Sequence, residues 1–206
     1  MVASPQPIAD RKRTLRRQMA ERRAGLPEAD REACARAVAA RLLALPGVVA
    51  AGERGAWLSG YVAIRGELDP AETIAVARGA GFRVALPRIH TVKPPGLAFH
   101  QVGAGEALAA GPHGISEPVA WAPEVPVEDL DVVLVPGSAF DAAGRRVGMG
   151  GGYYDEVGRR LRAGRPGGLM IGLCYDFQVV DECPADERDV AVDFVVTERR
   201  VLRRPA

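Results

Sequence analysis

The chain has 206 residues, 48% of them hydrophobic and 26% charged, with a formal net charge of +1. That length suits one domain with a core that needs no disulfide or metal staple, and the near-neutral charge excludes a global attraction to nucleic acid or to an anionic membrane. No window approaches the roughly 18 apolar residues of a membrane helix, the first ten residues lack the apolar run of a signal peptide, and Cys34, Cys174 and Cys183 keep no zinc-ligand spacing. A soluble, cytoplasmic protein with three free thiols is therefore expected.

In chain order, residues 1–9 show no periodic pattern and are expected to be disordered, leaving residues 10–206 as a single domain. A helix starts at Asp10, with Leu15 and Met19 spaced i, i+4 among basic residues, and stops at Gly25 and Pro27. A second helix on an Ala/Leu/Val face runs over residues 28–45 and ends at Pro46-Gly47. "GAWLSGY" reads as a short strand, followed by a helix near residues 70–80 and the strand "FRVALPRI". Residues 90–127, rich in proline and glycine, predict long functional or mobile loops around one strand, "GLAFHQV". "DVVLVPG" is an unbroken apolar run closed by Pro-Gly, the pattern of a buried strand. A helix opens at Gly152 or Tyr153 and ends near Gly164; "GLMIGLCYDF" is the next strand and "VDFVVTE" the last. This alternation predicts a three-layer α/β sandwich with a mostly parallel sheet.

Between that buried strand and the next helix lies "GRRVGMGGGYYD", residues 144–155, with five glycines in nine positions. Each glycine beyond those a turn needs costs roughly 0.5–1 kcal/mol of backbone entropy, so the segment predicts close approach of a ligand. It is not a P-loop, because GxxxxGK[ST] occurs nowhere. It is a poor dinucleotide fingerprint, because Gly148 lies 13 residues beyond Val135 and the spacing is wrong. Free amides ahead of a helix N-terminus nevertheless form an anion site. Arg145 and Arg146 can add charge-assisted bonds, and Asp155 can hold a divalent metal that also touches phosphates. The plainer alternative is a surface loop in which Asp155 complements the helix dipole.

The segment "LVPGSAFDAAGRRVGMGGGYYD" resembles the signature of the 5-formyltetrahydrofolate cyclo-ligase family. "KRTLRRQM", "WLSG" with "GELDP", "LPRI", "GISEP", and "YDFQ" with "ERDVAVDFVVTE" resemble its other anchors in the right order, across residues 12–198. The resemblance implies ATP-dependent conversion of 5-formyltetrahydrofolate to 5,10-methenyltetrahydrofolate, on a fold like that of sugar-phosphate isomerases and CoA-transferases. It implies ATP contacts from Lys12, Arg16, Arg146, Val147, Gly148, Met149, Gly150, Gly151, Gly152, Tyr153 and Tyr154, with Arg146 and Lys12 as catalytic charge stabilisers. Folate contacts are implied for Leu58, Glu67 and the 149–153 segment, with Asp69 the substitute for Glu67 because "SGYVAIRG" is longer than the usual spacing. A magnesium ion is implied between Asp155 and Asp189, with Asp186 and Asp193 close enough to compete for the second position.

Without the resemblance, other readings stand beside these. Seven basic residues between positions 11 and 23, against Glu21, also suit a solvated helix face. Trp57, Phe99 and Trp121 suit a pocket, but large aromatics belong more often to cores. The rivals are an ATP-independent enzyme of the isomerase or CoA-transferase kind and a nucleotide or nucleic-acid binding module. The first choice is a cytoplasmic monomer acting on folate and ATP, with no nucleic-acid or membrane partner.

Overall fold

The structure, a computed structural model, describes residues 6–90 and 96–205. Residues 1–5 of the segment expected to be disordered lie outside the described residues, as does the 91–95 part of the long loop. The elements are α1 (Ile8–Ala24), α2 (Glu28–Leu43), α3 (Pro46–Glu53), β1 (Trp57–Ser59), α4 (Ala71–Gly79), β2 (Arg83–His90) and β3 (Gly96–Gln101). Three two-residue strands follow, β4 (Ala109–Ala110), β5 (Ser116–Glu117) and β6 (Glu124–Val125), and then β7 (Leu130–Val135). The chain continues through β8 (Ala139–Phe140), β9 (Arg146–Val147), α5 (Tyr153–Gly164), β10 (Leu169–Leu173), β11 (Phe194–Val196) and β12 (Val201–Arg203).

Eight strands form one sheet in the order β12-β11-β10-β7-β1-β2-β3-β6. The central five, β11 to β2, are parallel; β12 at one edge and β3 and β6 at the other pair antiparallel. Every residue of β7 is buried, which is why residues 132–135 are continuous Val and Leu rather than alternating. Val132 and Leu134 pack under α2, α3 and α4, whereas Val133 and Val135 pack against Val157 and Leu161 of α5. Each such side chain contributes roughly 1.5–3 kcal/mol on burial, and the two faces together make the expected three layers. Helix α1 stands apart from the sheet and sets Leu15 and Met19 against Ala139 and Val147 of the β8–β9 hairpin.

Several elements differ from the sequence expectation. Helix α1 begins at Ile8, two residues before Asp10. Pro46 does not merely stop the second helix; it opens α3, where its fixed φ and missing N–H suit a first-turn position. A further strand, β12, follows the one expected to be last. His100 is buried on β3, with Nδ1 2.7 Å from the Ala122 carbonyl oxygen. Among the described residues no single helix is long and apolar enough to cross a membrane.

Candidate active site

Strands β1 and β7 are neighbours whose onward connections leave in opposite directions, through α4 to β2 and through the hairpin and α5 to β10. A crevice must open beyond the carboxyl ends of two strands that part in this way. A cavity of about 930 Å³ lies there, walled by the segment after β1, the end of β2, Pro136 after β7, the glycine segment, and α1.

One side of this cavity is cationic. In the β8–β9 hairpin, strand alternation turns Arg146 towards the cavity and Val147 towards α1. Nη2 of Arg146 donates to both carboxylate oxygens of Asp155, at 3.1 and 3.2 Å, and its guanidinium lies 5.9 Å from the Tyr154 ring centre. Its Nε is buried and has no partner. A side chain at Gly148 would place Cβ 2.2 Å from Nη1 of Arg146, so glycine is required for this approach. Gly152 takes φ +69° as it caps α5, a conformation that costs a side-chain-bearing residue about 1–2 kcal/mol. From α1, Arg16 Nε donates to the Gly148 carbonyl oxygen at 2.7 Å, and Lys12, one turn earlier, pairs with Asp189 at 2.6 Å.

The carboxylates meet because the Val190 amide donates to Asp155 at 3.1 Å, which seats the 186–190 segment on the first turn of α5. Asp155, Asp186 and Asp189 all line the cavity. Asp193 points elsewhere: it accepts from the Met170 amide and from Arg204, which removes it from the competition for a cation. Among the described residues no cluster of three or more protein ligands is prearranged for a metal. An all-oxygen pair of carboxylates beside this cationic, glycine-lined wall still fits magnesium, which takes one or two carboxylates and completes its shell with phosphate oxygens and water. Asp155 and Asp189 would hold it.

The other side is apolar and ends in a buried carboxylate. Glu67 is 8% exposed and lines the cavity with Val62, Ile64 and Pro87. Burial pushes its carboxyl above the usual glutamate range, and the hydrogen bond from the Ile64 amide, with Arg23 and Arg65 nearby, only partly offsets this. The longer segment before it is taken up in a turn where Arg65 has φ +50° and Gly66 φ +71°. Glu67 therefore keeps its place at the cavity, while Asp69 is exposed and accepts from the Ala71 amide at the start of α4.

With this geometry in view, comparison with known proteins is specific. The sequence model of the 5-formyltetrahydrofolate cyclo-ligase family matches residues 8–198. The chain belongs to that family. The Escherichia coli K12 5-formyltetrahydrofolate cyclo-ligase is 34% identical over 181 residues, spanning 87% of this chain and 96% of that one. The Mycolicibacterium smegmatis cyclo-ligase is 31% identical over 193 residues, 92% and 94% of the two chains. The solution structure of Aquifex aeolicus 5,10-methenyltetrahydrofolate synthetase superposes with a TM-score of 0.77 at 32% identity, covering 95% of this chain and 93% of that one.

Of the residues singled out from the cyclo-ligase resemblance, the cavity brings together Lys12, Arg16, Glu67, Arg146, Gly148, Met149, Gly150, Gly151, Gly152, Tyr153, Tyr154, Asp155 and Asp189. Two do not line it. Leu58 is fully buried on the face of β1 that packs under α2 and α4, and Val62 and Ile64 form the apolar wall in its stead. Val147 is fully buried against α1, and its carbonyl accepts from the Ser138 amide. Trp57, Phe99 and Trp121 also lie off the cavity wall.

Supporting residues went unassigned in the sequence reading. Asp141 accepts from the amides of Ala143, Arg145 and Cys183 and from the Arg145 side chain, which fixes the turn that aims Arg146. Gln178 donates to the carbonyls of Gly137 and Ser138, holding the loop after β7. Both sit inside quoted motifs, "FDAAGRR" and "YDFQ", which carry the family resemblance without giving either side chain a role.

Proposed function

We propose that this cyclo-ligase converts 5-formyltetrahydrofolate and ATP to 5,10-methenyltetrahydrofolate, ADP and phosphate. The observation that carries the reading is the division of one cavity, with cations and bare glycine backbone on one side and buried Glu67 among apolar side chains on the other. A triphosphate and a flat reduced pteridine bound to those two sides face each other.

The N5-formyl group is an amide and a weak electrophile. Attack of its oxygen on the γ-phosphorus forms a P–O bond, releases ADP and leaves the formyl carbon electron-poor. N10 of the same molecule then forms the new C–N bond, a step whose entropy cost is already met by the substrate's own framework. N10 loses its proton, the C–O bond breaks with its electrons passing to phosphate, and the methenyl cation remains. Arg146, Lys12 and Arg16 hold the phosphoryl oxygens as their charge migrates, the chief requirement of phosphoryl transfer. Asp155 and Asp189 would hold magnesium, which would supply further neutralisation of the phosphate charge.

The ion pairs support this assignment. Lys12 pairs with Asp189 and Arg146 with Asp155, which places each cation proposed for phosphate beside a carboxylate proposed for the metal. The reading takes the protein to act as a monomer in the cytoplasm. The test is to supply ATP, magnesium and 5-formyltetrahydrofolate and follow the absorbance of the methenyl product. Product that forms only when ATP is present supports the reading; product without ATP, or none, contradicts it.

A further inference from the structure

Six buried side-chain polar atoms among the described residues have no hydrogen-bond partner, and two belong to residues of the cavity wall. One is Nε of Arg146, a donor on the phosphate side. The other is Oε2 of Glu117, an acceptor on the opposite side. A buried carboxylate oxygen left without a partner costs roughly 1–3 kcal/mol or more, so its retention beside a cavity calls for a ligand that satisfies it.

Glu117 is held in place rather than loosely packed. It is 1% exposed, and its Oε1 accepts from the Ile89 amide at 2.8 Å. The short β4–β5 pairing brings it over Gly111, where a Cβ would lie 2.5 Å from the Glu117 carboxyl carbon. The neighbouring cation does not complete it. Nη1 of Arg88 stands 3.9 Å from Oε2, beyond hydrogen-bond reach, and instead donates to the Pro118 carbonyl oxygen. The other acidic side chains across the cavity are already engaged: Asp155 with Arg146, and Asp186 and Asp189 with Lys12.

We propose that Glu117 is a second folate-binding carboxylate, whose Oε2 accepts a hydrogen from an N–H donor of the reduced folate. This rests on the cyclo-ligase reading and deepens it. The molecule turned towards the β2–β3 wall is rich in such donors, whereas a triphosphate has none and would be repelled. Glu67 and Glu117 then hold the substrate from two directions, which fixes its rotation in the cavity as well as its depth.

The experiment compares the unsubstituted protein with Glu117→Gln, which keeps an oxygen for the Ile89 amide and turns the free acceptor into a donor. Affinities for 5-formyltetrahydrofolate and for ATP are measured by calorimetric titration, with the thermal midpoint alongside. The expected result is about tenfold weaker folate binding, near 1.4 kcal/mol, with ATP affinity within twofold and the midpoint unchanged. Equal folate affinity, a lower midpoint with no change in folate affinity, or equal loss of both ligands overturns the proposal and leaves Glu117 as a strap between β5 and β2. Should the Gln variant not fold, Glu117→Asp makes the same comparison: it keeps the charge but draws the oxygen back, and the same selective loss is expected. Folate binding and turnover by the unsubstituted protein report on the cyclo-ligase reading, while the ratio between variants reports on Glu117.

Discussion

Arg146 and Asp155 form the ion pair that joins the glycine segment to the first turn of α5. The pair satisfies a guanidinium that is almost fully buried, and in the proposed function the same two groups serve phosphate and metal. Asp155→Asn keeps an acceptor for the Val190 amide but loses the charge. Turnover is expected to fall by about 100-fold or more, near 2.7 kcal/mol of barrier, and the thermal midpoint to drop because Arg146 loses its counter-ion. A wild-type rate in the methenyl assay removes Asp155 from the metal site. Glu67 carries a pH signature. Its carboxyl is raised by burial, and protonation removes the charged acceptor that a pteridine's donor edge needs. Folate affinity is therefore expected to decline on acidification while the pH is still above the ordinary glutamate value near 4.3, and Glu67→Gln to flatten that decline. A fluorescence titration of folate binding between neutral and acid pH checks it, and an affinity that ignores pH contradicts it.

At the scale of elements, what was legible in the sequence followed from how many physical signals overlapped. Strand β7 combined an apolar run with a Pro-Gly stop, and α5 a glycine cap with acidic first-turn residues, so both stood out. Pro46 misled because proline ends one helix and begins another with the same geometry. Strands β4, β5, β6 and β12 have two or three residues each, too few for any period to show. Leu58 and Val147 misled for a different reason: a motif tells which residues lie near a ligand, but in a strand only alternate side chains face it. Glu117 escaped because only the tertiary fold brings β5 to β2. The opposite end of the sheet gives an independent check. Asp131 receives hydrogen bonds from Arg54, Arg165 and the Trp57 amide, tying β7 to α3, β1 and the end of α5. Burial raises its pKa, but these hydrogen bonds outweigh it and hold the carboxyl below its ordinary value. A depressed carboxyl stabilises the fold above its unfolded value near 3.9 and loses that contribution as pH falls through the lower folded one. Asp131→Asn is expected to cost about 1–2 kcal/mol and lower Tm by roughly 2–8 °C near neutral pH, with a smaller difference in acid. Its kcat and KM are expected to stay unchanged, because the cluster lies at the far end of the strands from the cavity. A changed KM alongside the Tm shift contradicts that separation.

For the molecule as a whole, fold and site are linked by one topological fact. The chain leaves β1 and β7 in opposite directions, and the opening between them is walled by a helix carrying Lys12 and Arg16 and by a glycine segment in which Gly150 and Gly152 take positive φ. The family resemblance named the residues and the sheet order explains why they converge; the buried acceptors and donors on facing walls are the ground for proposing that two ligands share the space. The central claim is that the γ-phosphorus of ATP meets the formyl oxygen within that space. It is tested most directly by supplying 5-formyltetrahydrofolate with a heavy oxygen isotope in its formyl group and analysing the products by mass spectrometry. The account predicts one heavy oxygen in each phosphate released. Unlabelled phosphate, with the heavy oxygen recovered in water, contradicts it.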